Sequence, residues 1–281
     1  WEKNIEQVSD GTVNGIFDSI SIVDIIESDG SILILGYGST YEGFGQSAIF
    51  VMQIDAEDGE IVLTSFPYLN NNFEDSASYD TYPISIIKVD PILESDNYGE
   101  YLIHSRGDEW SYEPYFMYLD NMLQPTHSWT VGNQFLDGDL EFSSSQYLSY
   151  HTDSETNQSY LYLAGTIAGG VRILKMDSSG QQVAISPSGN MLTLSLGGSD
   201  FNITGFMINS ETDVSGAMID DISMVVSGYA NIEDGAAANN FVLAKIIISE
   251  YADDVGDPIV LWKHEYGGEY EDRARSLIKT S

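Results

Sequence analysis

A short apolar strand running into an acidic turn recurs along this chain, and a repeat of that kind restricts the fold more than any other feature. It reads Phe50-Val51-Met52-Gln53-Ile54-Asp55, then Tyr115-Phe116-Met117-Tyr118-Leu119-Asp120, then Arg172-Ile173-Leu174-Lys175-Met176-Asp177. A fourth copy, Val242-Leu243-Ala244-Lys245-Ile246-Ile247, lacks the closing Asp. Two of the Asp residues lead into Gly-containing turns, Ala56-Glu57-Asp58-Gly59 and Ser178-Ser179-Gly180. Gly supplies the positive φ that a tight hairpin needs, so each copy reads as the third strand of a meander with one more strand to follow.

Ahead of each copy lies another apolar run. Three of these close on Gly: Ile32-Leu33-Ile34-Leu35-Gly36, Leu161-Tyr162-Leu163-Ala164-Gly165 and Met224-Val225-Val226-Ser227-Gly228; the remaining one is Tyr101-Leu102-Ile103-His104-Ser105. Near-continuous apolar runs suit strands covered on both faces. One more strand precedes each run (Ile20 to Ile26, Ser85 to Val89, Gln146 to His151, Ile203 to Ile208). A last one follows, at Ile61 to Phe66, Ser128 to Val131, Gln182 to Ser186 and Ile259 to His264. Four strands per unit, a period of roughly 57 to 72 residues and no helical periodicity predict an all-β chain, a β-propeller with four-stranded blades.

The expected blades are 17–66, 82–131, 146–186 and 201–264, within one propeller domain or an excerpt of one. Trp1-Glu2-Lys3 matches Trp262-Lys263-His264, and Asp272-Arg273-Ala274-Arg275-Ser276-Leu277-Ile278-Lys279-Thr280 matches the blade start at Phe17 to Asp24. Partial blade strands are therefore expected at 1–5 and 272–281, and the opening Trp1 reads as a processed or excerpted start. Incomplete blades could be completed by a neighbouring copy through strand addition, a route to self-assembly.

The segment Gly267 to Thr280, with Gly267-Gly268, Asp272, Ala274, Ser276 and Thr280, resembles the "GG…D.A.S…T" opening of a propeller repeat found in large secreted bacterial and archaeal surface proteins. Ser28-Asp29-Gly30-Ser31-Ile32-Leu33-Ile34-Leu35-Gly36 is similar to the "DGGYI…G" stretch that follows that opening. The likeness is specific at the first and last units; the middle two depart from it. It implies an extracellular or cell-surface protein whose propellers serve as stalks, displays or binding platforms, and it implies no catalytic residue.

Charge narrows the partners. Forty-four acids against 10 bases give a formal charge of −34. Such a surface repels nucleic acid and anionic membranes, which excludes both as expected partners. No apolar run approaches the roughly 18 residues of a membrane span, so membrane insertion is not expected either. With 42% hydrophobic residues the chain is nevertheless rich enough to fold. It has no Cys, so disulfides, thiol catalysis and Cys-ligated metals are all excluded.

Candidate sites are few. Calcium is the expected ligand, because hard cations take several oxygens from a flexible loop. The candidate sets are Asp55, Glu57 and Asp58 (with Glu60); Asp137, Asp139 and Glu141; Asp253, Asp254 and Asp257; and Glu269, Glu271 and Asp272. None has the EF-hand spacing, and the first doubles as a hairpin turn. Trp110 and Tyr112 are candidate sugar contacts, being aromatic residues set among acids. The histidines His104, His127, His151 and His264 show no zinc-site spacing. The Asp-box and the Gly-x-Ser-x-Gly elbow are both absent. The resulting expectation is a non-catalytic structural or adhesive module of a larger surface or filament-forming protein, with a surface protein or glycan as partner. The alternative is a carbohydrate-binding or carbohydrate-processing propeller.

Overall fold

The structure, a computed structural model, describes residues 17–40, 47–67, 82–89, 99–106, 114–131, 146–152, 158–167, 170–185, 191–196, 201–212, 218–230, 240–249 and 259–266. Its regular elements are all strands, and they form the blades of a β-propeller. The terminal strands expected at 1–5 and 272–281 lie outside the described residues. Two compact units divide the chain, residues 1–135 and 136–281, each holding two blades.

In the first unit, β1 (Phe17–Ser28), β2 (Ser31–Thr40), β3 (Ser47–Asp55) and β4 (Ile61–Ser65) make one antiparallel meander. A second consists of β5 (Tyr82–Lys88), β6 (Tyr101–Arg106), β7 (Pro114–Leu119) and β8 (Pro125–Thr130). The first strand, β5, is the part of the second blade that lies closest to the first blade. Ile86 of β5, fully buried, packs with Leu33, Leu35, Ile49 and Val51 of the preceding blade. Each such aliphatic side chain contributes about 1.5–3 kcal/mol on leaving water.

The second unit repeats this plan. β9 (Gln146–Thr152), β10 (Ser159–Ile167) and β11 (Gly170–Asp177) pair in order. The expected closing strand at Gln182 to Ser186 is instead two pieces on the same edge. β12 (Gln182–Val183) pairs with Lys175 and Met176, and β13 (Met191–Leu194) pairs with Val171 to Leu174. In the sequence Pro187 follows this stretch, a residue with no amide to give a ladder. The last blade is β14 (Asn202–Thr212), β15 (Met218–Ala230), β16 (Asn240–Ser249) and β17 (Ile259–Tyr266). Its Phe201 and Ile203 pack with Tyr162, Ala164, Val171 and Ile173 of the preceding blade.

Local chemistry sets the turns. β1 and β2 join through Asp29 and Gly30 at φ 50° and 77°, the two positive values that match a hairpin to strand twist. The outer strands of three blades carry a bulge near their start, at Val62, Thr126 and Leu261. A bulge bends the edge and blunts its capacity to pair with another chain.

Two of the glycines that close the second-strand runs, Gly36 and Gly228, have a steric cause. A Cβ on Gly36 would lie 2.4 Å from Cζ of Phe50, its cross-strand partner, and 2.7 Å from the Ser21 carbonyl oxygen. On Gly228 it would lie 2.3 Å from Cζ of Phe201 and 2.5 Å from the Asn202 oxygen. In both blades an aromatic ring lies flush on the bare backbone. Gly36→Ala is therefore expected to lose about 1–3 kcal/mol by urea denaturation, the usual cost of overpacking. Gly30→Ala, which meets nothing within 4 Å, should lose only the left-handed strain of about 1–2 kcal/mol. Phe50→Leu should recover part of the Gly36→Ala loss and none of the Gly30→Ala loss, because Phe50 is the ring the new Cβ meets; no recovery would refute the steric account.

Candidate functional site

The calcium candidates divide. Asp137, Asp139, Glu141, Asp253, Asp254, Asp257, Glu269, Glu271 and Asp272 lie outside the described residues, as do the sugar candidates Trp110 and Tyr112. Asp55, Glu57 and Asp58 form the β3–β4 turn. There the Asp55 Oδ1 accepts the amides of Glu57 at 2.7 Å and Asp58 at 3.2 Å, and the Asp58 Oδ1 accepts the Glu60 amide at 2.8 Å. The same device recurs at the other acidic turns. Asp120 Oδ1 accepts the amides of Met122 and Gln124 at 2.9 and 2.8 Å, and Asp177 Oδ1 accepts those of Ser179 and Gln181, both at 2.9 Å. Among the described residues no group of three His, Cys, Asp or Glu side chains is placed to hold a metal ion.

The repeated Asp is thus a turn acceptor. Asp55→Ala is expected to cost about 1 kcal/mol, the worth of a partly exposed hydrogen-bonded acceptor. The loss should be the same in excess chelator and in millimolar calcium. A loss seen only with calcium would make the turn an ion site.

A second set of contacts was not visible in the sequence. In each unit, one edge amide of the second blade's first strand is taken by a side chain of the blade before it. Asp24 Oδ2 accepts the Ile86 amide at 2.9 Å, while its Oδ1 accepts the Ile25 amide at 2.9 Å. Thr166 Oγ1 accepts the Ile203 amide at 3.0 Å. A strand edge left unpaired inside a fold costs a hydrogen bond, and these side chains supply the missing acceptor. In the first unit Ser28 Oγ lies 3.2 Å from the Tyr101 hydroxyl, and Lys88 pairs with Asp29 at the surface. That ion pair lowers the Asp29 pKa and raises that of Lys88, but both groups are exposed and water screens the pair.

Two histidines join one row of rings. His104 is fully buried in β6 and stacks on Phe116 at 5.1 Å, Phe116 on Trp129 at 5.1 Å, and Trp129 on His127 at 5.6 Å. The cross-strand pairs His104–Phe116, Phe116–Trp129 and Tyr118–His127 put these rings on one face of the second blade. The alternation of His127 and Trp129 was the available signal; the pairing partner was not. A related row in the last blade runs Trp262, His264, Tyr266, at 5.3 and 6.1 Å between centroids.

No protein-family model and no curated protein matches this sequence. The functional reading therefore rests on the chain's own residues.

Among the described residues, Asp24 is the carboxylate that burial raises above its ordinary pKa of 3.8, against the two amides that lower it. A folded-state value above the unfolded one means that the folded chain binds its proton more tightly. The group's contribution to stability therefore falls as pH rises from about 3.8 to the raised value, and is constant beyond it. Asp24→Asn removes the buried charge and keeps one acceptor. Relative to wild type, the variant's unfolding free energy should improve across that window; a difference flat in pH would show that Asp24 titrates as it does unfolded. Asp24→Ala, with no acceptor, should lose about 1 kcal/mol at neutral pH, the low part of the range because the carboxyl is only partly buried.

Proposed function

We propose that this chain is a non-catalytic propeller module of a larger cell-surface or filament-forming protein, acting outside the cell as a structural or adhesive element. Apolar side chains exposed on the edge strands of the blades support this reading. β1 exposes Ile22 (52%) and Ile25 (56%), and β5 and β14 add Ile84, Ile87, Phe206 and Met207, all half-buried. Apolar exposure recurs on the outer strands, at Ile61 and Val62 of β4 and at Val260 and Leu261 of β17. Exposed apolar residues on a strongly acidic surface suit contact with another protein better than solvation alone does.

The test is retention of chain-coated beads on protein-coated and glycan-coated surfaces. Retention on protein surfaces is expected, with several-fold loss in a Val62→Lys, Leu261→Lys double variant whose melting temperature is unchanged. Saturable binding to a defined glycan, or turnover of one, would favour the carbohydrate reading and overturn this one.

A further inference from the structure

We infer that the fourth blade carries a docking face for another blade of the same repeat, and that residues 272–280 of this chain open that blade. Blades stack in this way whether or not the propeller is catalytic. In the first unit, the first blade presents Val51 and Leu33 to the blade that follows it; in the second unit, the third blade presents Ile173 and Tyr162. The repeat places these residues at equivalent positions, one after the start of the third-strand segment and two into the second-strand run. All four are at most 1% exposed. Each blade therefore has a forward face, and in both units it is the next blade that covers it.

The fourth blade places Leu243 and Val225 at the same positions, with Phe241 beside them, yet all three remain only half-buried. The face continues onto β17, where Tyr266 is 51% exposed and stacks on Phe241 at 5.5 Å. An apolar face of this construction is what the other blades bury. Lys245 does not bar coverage: it occupies the position of Lys175, which is buried with its ammonium 4.0 Å over the Tyr160 ring.

The occupant follows from what covers the other two faces, the first strand of the next blade. Soon after β17 the sequence Asp272 to Thr280 matches the start of β1. Its reach is sufficient. Returning from an outer strand to the innermost position of the next blade crosses three strand spacings, about 15 Å, and one sheet spacing of about 10 Å, a direct span of about 18 Å. The six Cα steps from Tyr266 to Asp272 span about 20 Å when extended.

Because the chain has no Cys, introduced pairs report without background. Leu243→Cys combined with Ala274→Cys or with Arg275→Cys is oxidised mildly and run on a non-reducing gel. A disulfide within the chain is expected for one pair and not the other, since neighbouring strand residues face opposite ways. The thiol of the Leu243→Cys single variant should also react with maleimide at least tenfold more slowly in the native chain than in urea. Closure of neither pair, with that thiol reacting at its unfolded rate, would overturn the proposal. A disulfide-linked dimer of the Leu243→Cys single variant would overturn it in favour of a second copy on this face. Trp262→Cys, on the rim of the same face, provides the same readout should Leu243→Cys fail to fold.

Discussion

A four-stranded sheet whose inner strands are apolar on both sides cannot bury itself; it is stable only between two other layers. This constraint governs the described parts of the chain. Leu33 and Ile34 are successive residues of β2 that point to opposite faces, and both are buried. Successive Leu161, Tyr162 and Leu163 in β10 behave alike. Stacking is then not an added interaction between finished blades but the condition on which each blade exists. The edge-amide contacts at Asp24 and Thr166 follow from it. Once a first strand is pressed against the preceding blade, its outward amide has lost water and must find an acceptor there.

The same constraint explains which parts of the fold were legible in the sequence. Residues buried between sheets must be apolar in unbroken runs, so the second and third strands of all four blades stood out. The turn Asp also stood out, because Asp55, Asp120 and Asp177 do the same work at the same place. What stayed hidden depended on partners distant in the chain. Asp24 looked like one acid among 44, yet its acceptor role is fixed by Ile86 across the blade interface. His104 and His127 gave no spacing signal because only the pairing of three strands puts them in one row of rings, with Phe116 and Trp129 between them. The closing strand of the third blade reads as continuous in the sequence and is not, although Pro187 stands immediately beyond it. Of the candidate sites, the sequence offered acidic and aromatic clusters; the described one lies in a turn whose amides Asp55 and Asp58 accept.

Leu123 shows why the repeat fades in the second blade. It occupies the left-handed position that Gly180 fills in the third blade, at φ 57° against 84°. Left-handed backbone costs a non-glycine residue about 1–2 kcal/mol. But Leu123 is fully buried, packed in the core with Ile86, Met117 and Leu119. Burying a leucine is worth about 1.5–3 kcal/mol, so the balance favours Leu and the turn loses its glycine. Sequence likeness between blades therefore decays first where a turn residue can reach the core.

Acidity needs a separate account, because the turns do not require it. An Asn oxygen accepts amides in the same turns as an Asp oxygen does, so the geometry at Asp120 or Asp177 gives no reason to prefer the charge. Nor is the charge offset locally by bases, with only 10 in the chain. Repulsion among exposed acids is screened beyond about 10 Å at 0.1 M salt. It then costs little against stacked faces in which a single leucine is worth a few kcal/mol. Selection of Asp over Asn thus acts on the solution around the protein rather than on its fold. Net charge of this size disfavours association between copies even where aliphatic side chains such as Ile22, Val62 and Leu261 are exposed.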